Sequence, residues 1–157
     1  MWFSEKENIM EVIVGANATL PTRQHNRDAG LDLYAAEDVF IPTNDTKKIN
    51  TNIKISLPVN TVGMICDRSS MGSKGLKVMG GIVDSTYNGD IIVVLTNITC
   101  SIDRHAGLEK QGYWVKKGDK IAQLLVIPLL FPKCTEIQQF NTENTSRGIK
   151  GFGSTGR

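Results

Sequence analysis

Apolar residues in this chain recur in short runs of Val, Ile and Leu, broken by Gly, Pro, Asn or Asp, the rhythm of a β-rich domain. Strands are predicted at Met10–Val14, Asp38–Ile41, Lys48–Leu57, Val62–Cys66, Gly81–Val83, Ile91–Asn97 and Ile121–Ile127. In the third, Ile49, Thr51, Ile53, Ile55 and Leu57 alternate with Lys48, Asn50, Asn52, Lys54 and Ser56, as a half-buried strand requires. A single turn of helix is predicted after Arg68, with Ser69 or Ser70 capping Met71–Lys74 and Gly75 ending it. Asn88-Gly89 between two β segments predicts a tight hairpin, because such residues accept positive φ. Gly107–Gly112 reads as an exposed loop, and Asn141–Lys150, polar and bounded by glycine, as part of a tail. The expected fold is all-β, with one β domain over 1–140 and a C-terminal arm over 141–157.

A chain of 157 residues suits one domain with a real core. Its 18 Lys+Arg against 16 Asp+Glu leave a formal charge of +2, too weak a bias to attract a nucleic-acid polymer by electrostatics alone, so any nucleotide preference must come from a site. Cys66, Cys100 and Cys134 are odd in number and widely spaced, which suggests neither a disulfide framework nor a zinc site and points to a reducing compartment. The first residues carry Glu5 and Glu7 where an export signal would be basic and then apolar. Ile121 to Phe131, the longest apolar stretch, holds Gln123 and Pro128, falls far short of the roughly 20 residues that span a bilayer, and reads as buried strand. The expectation is a protein without a membrane partner, in the cytoplasm, or in the cytoplasm or nucleus of a host cell were it viral. Met64, Met71 and Met79 read as core filler, and His25 and His105 are too far apart to act as paired ligands.

Four polar clusters sit where packing alone would not ask for them. In Ala29–Asp38, Asp32 lies between Leu31 and Leu33 and faces away from them on a strand; it is either solvent-facing or a carboxylate for a hard cation, direct or through water. In Arg68–Gly75, hydroxyls, backbone N–H groups at a helix start and a guanidinium fork suit an anion, although a capped turn would look the same. In Gly80–Asp90, the hairpin is structural, yet it does not explain Asp84 after Ile82-Val83 with Tyr87 close behind; a partly buried carboxylate there suits a general base. Gly80-Gly81 would let a planar ligand approach the backbone. In Arg147–Gly156, glycines and hydroxyls could wrap a polyphosphate, or form a plain tail; Phe152 among them has no core to join and suits stacking on a flat base.

These segments, read as AGLDLYAAEDV, RSSMGSKG, GGIVDSTYNGDI, GDKIAQLLVIP and RGIKGFGSTG, resemble in order the five motifs of the trimeric dUTPase family and run from about Ala29 to Gly156. The resemblance implies a distorted jelly-roll (β-clip) subunit with a swapped C-terminal arm, in a homotrimer whose active sites draw on more than one chain. It implies a magnesium-dependent hydrolase that splits dUTP into dUMP and pyrophosphate, limiting uracil in DNA and supplying dUMP for dTTP synthesis. By the same resemblance Asp84 is the carboxylate that deprotonates water for attack on the α-phosphorus, and Tyr87 the aromatic floor under the deoxyribose. Gly80, Gly81, Ile82 and Val83 are the main-chain uracil reader; Ser69 and Ser70 with Gly72 and Gln123 hold the α- and β-phosphates, with Arg68 supporting them. Asp32 reaches Mg2+ through water. The arm brings Phe152 to stack on uracil and Arg147, Ser154 and Thr155 to the γ-phosphate, with Gly153 also among the substrate-binding residues.

The sequence departs from the family's pattern at Asp67, read as a neighbour contact with Arg68, and at Thr86 and Asn88. The connection from Asn97 to Lys116 is longer than the family's usual one, and its polar tip, Asp103–Lys110, is either a tolerated extension or a surface for a protein partner. Rival readings are a dCTP deaminase on the same fold, for which the hairpin and phosphate motifs lack a glutamate, and a non-catalytic nucleotide-binding regulator, against which Asp84, Tyr87 and Phe152 stand.

Overall fold

The computed structural model describes residues 9–99 and 111–139. Two four-stranded antiparallel sheets face each other across one apolar core. The first runs β1 (Glu11–Val14), β4 (Thr46–Ser56), β8 (Asp90–Asn97), β6 (Leu76–Val78); the second runs β2 (Leu31–Tyr34), β10 (Lys120–Pro128), β5 (Thr61–Cys66), β7 (Ile82–Asp84). A two-stranded ribbon, β3 (Val39–Pro42) with β9 (Gly112–Val115), completes a jelly-roll-like arrangement. Ile49, Ile53 and Ile55 from β4 meet Leu33, Ile65, Val93, Leu95 and Leu124, all buried. Their alternation is the expected one, and Thr51, in the same row, is accommodated by donating its hydroxyl to the carbonyl of Ile91 at 2.5 Å.

Several elements differ from the sequence expectation. Leu31–Tyr34, Leu76–Val78 and Gly112–Val115 are strands too short to give a period of their own; Gly112 opens a strand instead of closing a loop, and a Cβ there would lie 2.5 Å from the ring of Phe40. The helical turn α1 is Ser69–Gly72, capped at Arg68 with no side-chain cap bond, so neither serine hydroxyl plays the predicted capping role. Asn88 and Gly89 are absent from the positive-φ positions, and β7 and β8 pair in different sheets, so the segment is a crossover between layers and not a hairpin ladder. Gly89 lies against the Tyr87 ring: a Cβ there would stand 2.4 Å from the Tyr87 hydroxyl oxygen, and the ring would have to move aside. The last apolar stretch leaves its strand after Pro128, and Leu130 and Phe131 are exposed on the single chain. Of the methionines, Met71 is core, whereas Met64 and Met79 are exposed.

Two irregularities place polar groups. The β4–β8 register shifts between Asn50 and Lys54, where Asn52 takes φ 52°. The β10–β2 register shifts between Lys120 and Ala122, so Ile121 and Ala122 are both buried in succession. Strict alternation would send Lys120 and Gln123 to opposite faces; the bulge lets both line one pocket.

Gly81 has φ +100°, and a Cβ on it would lie 2.4 Å from the carbonyl oxygen of Ile65. Gly81→Ala should therefore cost about 2 kcal/mol or more, and Leu124→Ala, at a fully buried position, about 2–5 kcal/mol. Both should lower the urea midpoint at fixed protein concentration, and an unchanged midpoint for either would contradict this packing.

Candidate active site

Strand β5 positions both clusters of candidate residues on the chain. On one side it pairs with β7, Val62 opposite Asp84 and Gly63 opposite Val83, and the Ile65 N–H donates to the Gly81 carbonyl at 2.7 Å. Because β7 is the edge of its sheet, its outer rim keeps main-chain donors and acceptors out of the ladder. That rim borders a cavity of about 320 Å³ between the two sheets, lined by Gly80–Asp84, Tyr87 and apolar side chains such as Val78 and Ile91. The Tyr87 N–H donates to the Asp84 carbonyl at 3.0 Å, so a single tight turn carries the carboxylate at one end and the aromatic ring at the other. The Tyr87 hydroxyl donates to the Asp90 carbonyl at 3.1 Å. Asp84 is exposed on the isolated chain, not partly buried as expected, and Ile82 is exposed beside it.

At its far end β5 runs through Asp67 into Arg68 and α1; Arg68 and Ser69 border a second, polar cavity of about 420 Å³ with Asp32, Lys120 and Gln123. Asp32 is its hub. Arg68 Nε donates to one carboxylate oxygen at 2.8 Å, and Lys120 Nζ reaches the other at 2.8 Å. Burial opposes ionisation of Asp32, but the hydrogen bonds and charges of Lys120 and Arg68 prevail and hold the carboxyl below the ordinary range. Arg68 Nη1 donates to Ser70 Oγ at 3.0 Å and to the Lys120 carbonyl at 3.1 Å. The N–H groups of Ser69 and Ser70 open the turn without intrahelical acceptors, and Gly72 is open to solvent with no atom near where a Cβ would be.

Gln123 is at the pocket, with Nε2 donating to the Asp67 carbonyl at 2.8 Å. Gly30 is a glycine because Gln123 Oε1 would lie 2.5 Å from a Cβ there. Asp67 does not contact Arg68 as expected: its carboxylate accepts from the Val78 N–H at 2.6 Å and from Lys77 Nζ. Burial works against its charge, and those two donors lower its pKa. Asp67 thus ties the start of α1 to β6, and its carboxylate is kept out of the polar cavity.

The residues predicted from sequence fall into two groups. Gly80, Gly81, Ile82, Val83, Asp84 and Tyr87 line the first cavity; Asp32, Arg68, Ser69 and Gln123 line the second, with Ser70 and Gly72 on the adjoining turn. The two cavities have no lining residue in common. Arg147, Phe152, Gly153, Ser154 and Thr155 and the Asp103–Lys110 tip lie outside the described residues. Sequence reasoning missed Lys120, whose signal was a cation immediately ahead of a buried strand. Among the described residues no cluster of His, Cys, Asp and Glu could hold a metal ion by itself, and no helix is long and apolar enough to cross a membrane.

The profile of the dUTPase family matches residues 16–156. The deoxyuridine 5'-triphosphate nucleotidohydrolase of Debaryomyces hansenii is 35% identical over 155 residues, which are 98% of this chain and 91% of that protein. That of Rattus norvegicus is 40% identical over 147 residues, 93% of this chain, which spans 66% of the rat protein's length. Among solved structures, a mutant dUTPase of Staphylococcus bacteriophage 80alpha with dUpNHpp superposes at TM-score 0.82 and 28% identity, covering 96% of this chain and 99% of that one. A mutant dUTPase from phage phi11 of S. aureus, described for its coordination of a structural Mg(II) ion, superposes at TM-score 0.76 and 26% identity over 85% and 99%. With a family profile matched over nearly its whole length and a relative matched almost end to end, the chain belongs to the dUTPase family.

Proposed function

We propose that this protein hydrolyses dUTP to dUMP and pyrophosphate, with Asp84 as the general base. The observation that carries the reading is the edge strand β7, whose outer main-chain groups lie outside the sheet ladder and whose residues line one cavity with Asp84 and Tyr87. Main-chain donors and acceptors along such a rim read a pyrimidine as a complementary base would, and the flanking apolar walls exclude water. Tyr87, propped on Gly89, offers its ring to a deoxyribose, where a ribose 2′-hydroxyl would be unpaired and crowded. Ser69, Ser70, Gly72, Gln123 and Arg68 take the α- and β-phosphates in the polar cavity.

Asp84 takes a proton from a water molecule, whose oxygen forms a bond to the α-phosphorus. The bond from that phosphorus to the bridging oxygen breaks, and its electron pair leaves with pyrophosphate. Asp84 then returns its proton to solvent. A divalent cation fits this pocket best at one remove: the Arg68 and Lys120 cations on the two Asp32 oxygens repel a directly bound metal, while a remaining lone pair could accept from a metal-bound water. When bound, magnesium would neutralise charge on the phosphates that carry it, with Asp32 the residue that meets its hydration shell.

A dUTP molecule must meet both cavities, and on one chain the two are separately lined. The resemblance to the trimeric dUTPases supports a homotrimer as the working form, and the separate cavities fit an arrangement in which the β7 rim of one subunit faces the Arg68 pocket of another. The arm, through Phe152 on the base and Arg147, Gly153, Ser154 and Thr155 on the γ-phosphate, closes the site. The activity removes dUTP before a polymerase can use it, in a reducing, cytoplasmic setting consistent with the free thiols of Cys66 and Cys134.

With dUTP, dTTP, dCTP and UTP offered side by side with magnesium, pyrophosphate should be released from dUTP at least about a hundredfold faster than from the others. Equal turnover of dTTP, or ammonia released from dCTP, would overturn the reading. Asp84→Asn should keep dUTP affinity within a few-fold while turnover falls by about 10²–10⁴; wild-type turnover in that variant would exclude Asp84 as the base.

A further inference from the structure

We propose that Lys120 is a positioning residue of the phosphate pocket: by neutralising Asp32 it leaves the outer nitrogen of Arg68 free to take a phosphate oxygen. The inference deepens the dUTP-hydrolysis reading and rests on it. Four charged side chains line this cavity, Asp28, Asp32, Arg68 and Lys120, and their formal charges cancel. Without Lys120 the same walls hold two carboxylates to one guanidinium, a balance that repels a polyphosphate.

The geometry shows how the cation is delivered. The bulge ahead of Ala122 turns Lys120 into the pocket, and its ammonium lies 5.9 Å from the centre of the Tyr34 ring. The Tyr34 hydroxyl is held in turn by Thr22 at 2.5 Å. From this position Nζ takes one Asp32 oxygen, while Arg68 Nε takes the other. The Lys120 main-chain carbonyl also accepts from Arg68 Nη1. Lys120 therefore fixes Arg68 twice, through its backbone and through the shared carboxylate. Arg68 uses Nε and Nη1 on the protein, and among the described residues Nη2 has no partner. Nη2 thus keeps two N–H donors on a planar, pre-set fork whose residue lines the cavity, an arrangement suited to phosphate.

Asp28, the second carboxylate, is tied at Oδ2 by the His25 N–H at 2.9 Å, and among the described residues its carboxylate pairs with no cation. Lys120 is thus the group that offsets the surplus negative charge. A main-chain anchor survives any side-chain substitution, so the charge alone can be tested.

The test is steady-state kinetics on the full chain with dUTP, together with calorimetric binding of dUpNHpp. Lys120→Met, which keeps the apolar stem, should raise KM and weaken dUpNHpp binding on the order of tenfold, with kcat within about threefold. Lys120→Arg should restore both to within about threefold of the unsubstituted protein. The double variant Lys120→Met with Asp28→Asn, whose pocket is again neutral, should recover part of the lost affinity. A purely structural lysine would lower the melting temperature of Lys120→Met and leave KM unchanged, which would overturn the proposal, as would failure of Lys120→Arg to rescue. If the unsubstituted protein releases no pyrophosphate from dUTP, the functional reading fails; if it does and Lys120→Met keeps its KM, only this inference fails.

Discussion

The site depends on the double ladder of β5. Paired with β10 on one side and β7 on the other, this six-residue strand fixes the β7 rim and the Arg68 pocket of each chain relative to each other. Gly63 sits at its centre, where a Cβ would come within about 3.2 Å of Leu57, Leu124 and Val83, so the strand passes the core with no side chain to hold the sheets apart. Its end at Cys66 lies opposite Gln123, and the next two residues are Asp67 and Arg68. A change in that register would move Asp84 and Arg68 together, since β7 and α1 both take their positions from the same strand.

Around this frame the polar groups hold one another in place. Asp67 spends its charge on Lys77 and the Val78 N–H, which secures the start of α1 against β6. Asp32 binds Arg68 and Lys120, and Gln123 holds the Asp67 carbonyl. No buried side-chain nitrogen or oxygen among the described residues lacks a partner. The pocket is therefore set before a ligand arrives, and little reorganisation opposes binding.

Much of this was legible in the sequence because long strands announce themselves. Lys48–Leu57 alternates so regularly that its buried face could be read directly, and Ile91–Asn97 was equally clear. Leu76–Val78 and Gly112–Val115 were not, since three or four residues fix no period and their pairing with β8 and β3 is a tertiary choice. Asn88-Gly89 misled because its sequence suits a tight turn, while the chain there crosses between sheets and Gly89 makes room for Tyr87. The candidate site residues were named through the order of the motifs. Their partners were hidden: nothing local tells that Asp67 meets Lys77, or that a bulge aims Lys120 at Asp32.

The central claim is that the base-reading rim and the phosphate pocket of one chain serve different active sites. Subunit mixing tests it most directly. Asp84→Asn and Arg68→Ala chains, each inactive alone, are unfolded together and refolded as mixed assemblies. The account predicts that the mixture recovers dUTP hydrolysis, because some sites then join an intact Asp84 to an intact Arg68 from another chain. Mixed assemblies no more active than the two parents would contradict it.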